Sequence, residues 1–112
     1  MGKRNQAAAL PLRLNRSGKV KVLLVTSRDT GRRFLPKGWI EKGFKPHEAA
    51  AREAEEEAGV RGRIDNEANG IFSYAKALDR KTVQMIEVSV FPLYVYEVKD
   101  TWPEAKVRKR CW

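Results

Sequence analysis

The feature that most constrains the fold is a single run of strong helix formers, PHEAAAREAEEEAG, over residues 46–59. Its proline suits a first helical turn, and its last glycine is a natural place for a helix to end. Lys45, just before the run, is a weak N-cap residue. One face carries small side chains at spacings of three and four: Ala51, Ala54 and Ala58. The run therefore predicts one helix that can pack closely against a sheet.

Most of the remaining sequence predicts strands separated by turns. Apolar and β-branched residues indicate strands at 8–14, 20–27, 32–35, 60–64, 70–74 and 82–96. Turns are expected at 16–18 and 28–31, and a loop at 37–45. Pro92 interrupts the last strand and indicates a bulge or an edge position. One helix among several strands predicts an α+β fold, and the length predicts a single domain over 1–112.

Three acidic residues of the helix form the chemically informative group: Glu53, Glu56 and Glu57. Residues three and four apart share a helix face, so we expect these carboxylates to project together and to repel one another. A hard divalent cation reverses that repulsion, because Mg²⁺ prefers oxygen ligands. Arg52 can offset part of the charge and orient a carboxylate. A solvated acidic face in a basic protein is the alternative interpretation.

The spacing around these glutamates resembles the Nudix hydrolase family. The family motif is a glycine, five residues, a glutamate, seven residues and then R-E-U-x-E-E-x-G-U, where U is aliphatic. The positions that match directly are Gly38, Arg52, Glu53, Glu56, Glu57, Gly59 and Val60. Ala54 is an acceptable small aliphatic residue. Phe44 stands where the family has a glutamate, one departure in nine fixed positions.

Further segments resemble, in order, the diphosphoinositol polyphosphate phosphohydrolase-like branch of that family. They are ALPLRL, VLLVTSR, LPKGW, GIFSY, VFPLYV and DTWPEAKVRKRCW. The resemblance implies a Nudix-type α/β/α sandwich built on a mixed β-sheet. That branch usually carries a C-terminal helix beyond the position of Trp112; we expect this helix to be missing here, either because the sequence is truncated or because the protein lacks it.

The resemblance also implies a role for each matched residue. Glu53, Glu56 and Glu57 would bind Mg²⁺, with Mn²⁺ as the alternative, and the Gly38 carbonyl would join them. Glu57 would also act as a base toward an attacking water, and Arg52 belongs to the same catalytic group. The implied reaction is hydrolysis of a phosphoanhydride bond in a nucleoside or inositol polyphosphate, of the diadenosine polyphosphate or diphosphoinositol polyphosphate type.

The net charge of +9 favours an anionic partner. We expect a small-molecule polyphosphate. Candidate phosphate contacts, each of which could also be a solvated surface charge, are Arg28, Arg32, Arg33, Lys37, Arg108 and Arg110. The charge also permits nucleic acid, but no RNA-binding module is recognisable. The sequence contains no long apolar run, so we expect no membrane span. Its single cysteine fits the reducing cytoplasm.

Phe44 leaves open how active such a site is. A phenylalanine side chain can neither coordinate a metal nor accept a hydrogen bond, and Glu41 and Glu48 lie close enough in sequence to substitute for the missing glutamate. We expect Phe44→Glu to raise turnover or metal affinity. Two alternatives to a polyphosphate hydrolase remain: a degenerate module that binds a nucleotide without cleaving it, and an RNA pyrophosphohydrolase.

Overall fold

The computed structural model describes residues 4–112 and contains one helix among strands of very different length. In chain order the elements are β1 (Arg4–Leu14), β2 (Val20–Val22), β3 (Leu24–Thr26), β4 (Arg33–Phe34), β5 (Lys37–Trp39), α1 (Pro46–Ala58), β6 (Val60–Ile64), β7 (Gly70–Ala77), β8 (Val83–Val98) and β9 (Arg110–Cys111). Across residues 4–112 no helix is both long enough and apolar enough to cross a membrane.

Most strands belong to one mixed sheet, centred on β1 and β8. These two strands run parallel, with Arg4 opposite Ile86 and Leu12 opposite Tyr94. The strands β2 and β5 pair antiparallel with β1, while β6 and β7 pair antiparallel with β8. A second, three-stranded sheet has the order β4-β3-β9. The mixed sheet with its single described helix confirms the predicted α+β class.

Both ends of α1 lie where the sequence predicts them. Pro46 is its first residue, and just before it the Lys45 backbone N–H donates a hydrogen bond of 2.8 Å to the Glu48 carboxylate. Glu48 thus provides a capping hydrogen bond at the start of the helix, where Lys45 is a weak N-cap residue. At the other end Gly59 has a φ of 67°, in the left-handed region that favours glycine, and its N–H donates to the Glu55 carbonyl at 3.1 Å.

The helix packs on the sheet through alanines, but its buried face is rotated relative to the predicted one. Ala50, Ala54 and Ala58 are fully buried, whereas Ala51 is only half-buried. The buried residues therefore follow a spacing of four along the helix. They belong to one core cluster with Ala7 and Ala9 of β1, whose small side chains allow the helix to lie close to that strand. Because the helix lies so close to the sheet, its neighbouring face, which carries Glu53 and Glu57, lies next to β5.

Two stretches differ from their predicted structure. The strand expected over 20–27 is divided, because β2 pairs with the large sheet and β3 with the small one. Leu23 lies at the switch, is fully buried, and donates its N–H to the Pro11 carbonyl. The loop expected over 37–45 begins with β5, which pairs with β1. In both cases pairing with a strand distant in sequence overrides the local signal.

Pro92 lies inside an unbroken strand rather than at a bulge. There β8 continues through Pro92, which lies opposite Leu10 of β1. On the other side of β8 the partner changes at this point, because β7 pairs up to Val90 and β6 pairs from Leu93. Since neither strand places a residue opposite Pro92, its position is edge-like on that side, where a missing N–H is tolerated.

The sheet face opposite α1 has a smaller core. Side chains alternate along strands, so Ala8, Ile86 and Val88 point away from the helix and pack with Trp39 and Tyr74. Large side chains on the adjoining strand ends remain exposed: Leu14, Tyr94, Tyr96 and Val98. Within residues 4–112 the sandwich therefore has one of its two expected helical layers.

Candidate active site

Two glutamates on successive turns of α1 bring their carboxyl groups into contact. A hydrogen bond joins the side chains of Glu53 and Glu57, and the Lys37 backbone N–H of β5 donates to Glu57 at 3.3 Å. Glu57 is only 5% exposed. A buried carboxyl group is costly in its charged form unless a positive charge or a proton accompanies it. The site is therefore built around a carboxyl pair that needs such a partner.

The contact changes the acidity of both carboxyl groups. Burial raises the pKa of Glu57 to about 8, and the hydrogen bond with Glu53 acts in the same direction. The positive charge of Arg108 opposes this rise. Burial also raises the pKa of Glu53, although the bond with Glu57 works against it. At neutral pH the pair therefore shares a proton, which Glu57 holds and donates to Glu53.

The glycine that opens the motif lies directly against this pair. Gly38 is in β5, and a β-carbon at this position would overlap the carboxyl atoms of Glu53. Any larger residue would therefore displace Glu53 from its contact with Glu57. The predicted coordination of a metal by the Gly38 carbonyl stays a prediction, but the backbone there is adjacent to the carboxyl pair.

Glu56, the third predicted metal ligand, is paired with Arg52. The Nε of Arg52 donates to Glu56 Oε1 at 3.0 Å, and its Nη1 donates to Glu41 Oε2 at 3.3 Å. In the part of the chain that the structure describes, no three His, Cys, Asp or Glu side chains are arranged to hold one ion. Binding of one metal ion by Glu53, Glu56 and Glu57 together therefore stays a prediction: Glu56 is paired with Arg52, and its charge acts on Glu53.

Two cations flank the carboxyl pair and share one aromatic ring. Lys37 Nζ lies 4.7 Å from the centre of the Phe34 ring, and Arg108 Cζ lies 5.6 Å from it. Both charges interact electrostatically with Glu57. Burial lowers the pKa of Lys37, and the attraction of Glu57 partly offsets that change. Two of the predicted phosphate contacts are thus next to the site.

Glu104 connects two of the predicted basic residues, and sequence reasoning misses it. Its carboxylate accepts hydrogen bonds from Arg28 at 3.0 Å and from Arg108 at 2.8 Å. Burial raises the pKa of Glu104, but the bonds from the two arginines outweigh burial, and the net shift is downward. Its charge also reaches Glu53. The one sequence signal was an acidic residue at the start of the basic stretch 104–110.

The remaining predicted phosphate contacts have other surroundings. Arg32 and Arg33 are exposed at the hairpin between β3 and β4. Arg110 donates to the backbone carbonyls of Ala58 and Lys99, at 3.2 and 2.8 Å. Its guanidinium therefore stabilises the C-terminal end of α1. For these three arginines, contact with a substrate stays a prediction.

Comparisons with known proteins agree with this architecture. The family model described as the NUDIX domain matches residues 3–112. Nudix hydrolase 21, chloroplastic, of Arabidopsis thaliana is 33% identical over 114 residues, which cover 99% of this chain and 56% of that protein. Diphosphoinositol polyphosphate phosphohydrolase 3-alpha of Mus musculus is 34% identical over 113 residues, which cover 99% of this chain and 64% of that protein.

A solved structure shares the fold as well. The Ap4A hydrolase of C. elegans matches with a TM-score of 0.64 at 20% identity, over 98% of this chain and 80% of that one. The chain spans 56% and 64% of the two curated relatives, so their full length exceeds the region compared. Within this region the family model extends over almost every residue, and the matched relatives are named as hydrolases. The chain belongs to the Nudix hydrolase family.

Proposed function

We propose that this chain is a divalent-metal-dependent hydrolase that cleaves a phosphoanhydride bond in a nucleoside or inositol polyphosphate. The observation that carries the proposal is the approach of the Glu53 and Glu57 carboxyl groups to each other beside β5, with Glu57 only 5% exposed. A carboxyl pair of this kind gains from a divalent cation, because the cation neutralises both groups. Mg²⁺ is the ion we expect, with Mn²⁺ as the alternative.

The acidic residues of α1 fit such an ion, because they supply the oxygen atoms that hard cations prefer. Glu53 and Glu57 would hold it directly, and Glu56 would join them by turning one carboxylate oxygen away from Arg52. When bound, the ion supplies positive charge beside the phosphates and makes a nearby water more acidic. Gly38 lies directly against the Glu53 carboxyl group, and its carbonyl would complete the set.

The neighbouring residues would position the substrate and move one proton. Lys37 and Arg108 lie beside Glu57 and would bind phosphate oxygens. Glu57, freed of the proton it shares with Glu53 when a cation is bound, would accept the proton of the attacking water. The water oxygen then bonds to phosphorus, the bridging P–O bond breaks, and its electron pair leaves with the departing phosphate. Arg28, held near Arg108 through Glu104, is the next candidate phosphate contact.

A small polyphosphate is the substrate class that these features support. The name of the mouse relative points to diphosphoinositol polyphosphates, and diadenosine polyphosphates carry the same anhydride linkage. The net charge of +9 attracts either molecule. We also propose that residues 1–112 form one domain and that the protein is cytoplasmic. The name of the Arabidopsis relative places that protein in chloroplasts, so the location of this protein should be measured directly.

Glutamine substitutions in α1 test the proposed reaction. Phosphate release from diadenosine tetraphosphate, a diphosphoinositol polyphosphate, a nucleotide sugar and 5′-triphosphorylated RNA is measured with Mg²⁺, with Mn²⁺ and with EDTA. We expect Glu53→Gln and Glu56→Gln each to lower the rate by about a hundredfold or more, the scale of losing a catalytic group. Glu55→Gln is the matched control, because Glu55 lies on the same helix but binds Lys99 at 2.7 Å.

Each alternative function gives a different result in that panel. Cleavage that continues in EDTA, or full activity in both Glu53→Gln and Glu56→Gln, would contradict the metal-dependent reaction. Metal-dependent binding of a substrate without any release would identify the degenerate binding module that Phe44 permits. Preferential hydrolysis of the RNA, with a steep dependence on salt, would identify an RNA pyrophosphohydrolase.

A further inference from the structure

Arg52 is held on three sides, and only one of the three partners is a proposed metal ligand. Its Nε donates to Glu56 at 3.0 Å, its Nη1 donates to Glu41 at 3.3 Å, and its Cζ lies 5.1 Å from the centre of the Phe44 ring. The guanidinium group therefore lies between two carboxylates and one aromatic face. Its planar fork of N–H groups makes the direction of each bond depend on the others.

The structure distinguishes the two glutamates that lie near Phe44 in sequence. Glu48 is used at the start of α1, where it accepts a hydrogen bond from the Lys45 backbone N–H at 2.8 Å. Glu41 is in the loop before the helix, and its side chain faces Arg52. Only Glu41 is thus placed to provide the negative charge that Phe44 cannot.

We infer that Glu41 is a positioning residue that takes over the carboxylate role left vacant by Phe44 and, through Arg52, keeps Glu56 available for a divalent cation. This inference rests on the proposed function. While Glu41 occupies Nη1, Arg52 offers Glu56 a single N–H from Nε. Without Glu41 the guanidinium is free to rotate and bind both oxygens of Glu56, which is the stronger, bidentate arrangement. A cation would then have to compete with Arg52 for Glu56.

Phe44 is part of the same group of residues around Arg52. Its ring face lies close to the guanidinium, as is common for arginine, and limits the planes in which Arg52 can lie. A glutamate at position 44 would bring a carboxylate to the place that the ring occupies, within reach of Arg52. Because Glu41 already supplies one carboxylate, Phe44→Glu alone should change metal affinity by less than about twofold, the scale of an exposed ion pair. The sequence alone predicts instead that Phe44→Glu raises turnover or metal affinity, so this variant distinguishes the two expectations.

The experiment moves the carboxylate from position 41 to position 44. Four variants are compared with the wild-type protein: Glu41→Gln, Phe44→Glu, the double variant of both, and Glu67→Gln, a control in the loop between β6 and β7. We expect Glu41→Gln to weaken Mn²⁺ binding by about five- to tenfold, near the lower limit for groups that orient metal ligands. The Mg²⁺ concentration for half-maximal rate should rise equally, while kcat at saturating Mg²⁺ and the urea midpoint in EDTA stay at wild-type values. The double variant should recover wild-type affinity.

A readout on Arg52 itself separates this inference from the proposed function. The Nε–H resonance of Arg52, assigned by its loss in Arg52→Lys, is recorded without metal and should shift in Glu41→Gln but not in Glu67→Gln. If that resonance and Mn²⁺ affinity are the same in both variants, Glu41 does not position Arg52, whether or not the wild-type protein is active. If both change as expected while no substrate is cleaved, the inference stands and the proposed reaction fails.

Discussion

At the scale of residues, the site is defined by an unfavourable contact that the fold enforces. Glu53 and Glu57 lie one turn apart on α1, and both face β5: Glu57 accepts the Lys37 N–H, and Glu53 lies against Gly38. Glu57 is buried next to Ala54 and Ala58. Two ionised carboxylates in contact repel, so one of them retains a proton until a cation arrives. The metal-free state is thus destabilised at the place where an ion would bind.

The retained proton predicts a pH dependence of stability. The folded pKa of Glu57, about 8, lies above its ordinary value of 4.5, so between those pH values the native state binds more protons than the unfolded state. The free energy of unfolding of the metal-free protein should therefore fall as pH rises from about 4.5 to about 8, and the effect of this group should be constant outside that range. Urea midpoints measured in EDTA across this range test the prediction, and Glu57→Gln should flatten the slope.

The same series contains its own control. Glu55 lies on α1, but its hydrogen bond with Lys99 lowers its pKa, a shift opposite in direction to that of Glu57. Glu55→Gln should keep the wild-type slope. Mg²⁺ should stabilise the wild-type protein more at pH 8 than at pH 5, because at low pH it must displace the proton. An unchanged slope in Glu57→Gln would show that the titrating group lies elsewhere.

At the scale of elements, the C-terminal end of α1 is held by a residue that the sequence assigns to the substrate. Arg110 donates to the carbonyls of Ala58 and Lys99, and its guanidinium lies 3.9 Å from the centre of the Trp102 ring. A β-carbon on Gly59 would touch that same ring, so the turn after the helix fits closely against Trp102. A positive charge is also favourable at the C-terminal end of a helix dipole.

Replacing Arg110 should therefore affect stability more than substrate binding. We expect Arg110→Gln to lower the free energy of unfolding by about 2 kcal/mol, the scale of a hydrogen bond to a charged group together with a cation–π contact. Urea unfolding measures this loss, and Lys109→Gln, an adjacent exposed cation, should leave the midpoint unchanged. A raised KM with normal stability in Arg110→Gln would instead favour the phosphate contact that the sequence predicts.

Elements with strong local signals could be predicted, and those that depend on distant partners could not. Helix α1 was predicted to within a residue because proline and glycine mark its ends, and β6 was predicted with its observed bounds. The division of 20–27 and the strand β5 depend on pairing with distant segments, which leaves no local trace. The same limit applies to the site. The spacing identifies the glutamates of the site. The pairing of Arg52 with both Glu41 and Glu56 depends on the conformation of the loop before the helix, which the spacing does not reveal.

At the scale of the whole molecule, a strongly basic chain carries its acidic group on α1 next to two cations. The chain has 23 basic and 14 acidic residues, and the acidic group on α1 lies beside Lys37 and Arg108. An anionic substrate is attracted to the molecule over a distance set by salt, whereas contacts in the site act at short range. These two contributions respond differently to ionic strength, so they can be measured separately.

Long-range attraction predicts that salt lowers kcat/KM and leaves kcat unchanged. Raising the ionic strength from about 0.01 M to about 0.1 M shortens the Debye length from about 30 Å to about 10 Å, so we expect kcat/KM for a polyphosphate to fall several-fold. A double variant, Arg80→Gln with Lys81→Gln, removes two charges from the exposed turn before β8 and takes the net charge from +9 to +7. It should have a shallower salt dependence and the wild-type kcat, because the turn forms no part of the proposed site. If kcat/KM is independent of salt in the wild-type protein, the overall charge does not assist substrate capture, and Lys37 and Arg108 act alone.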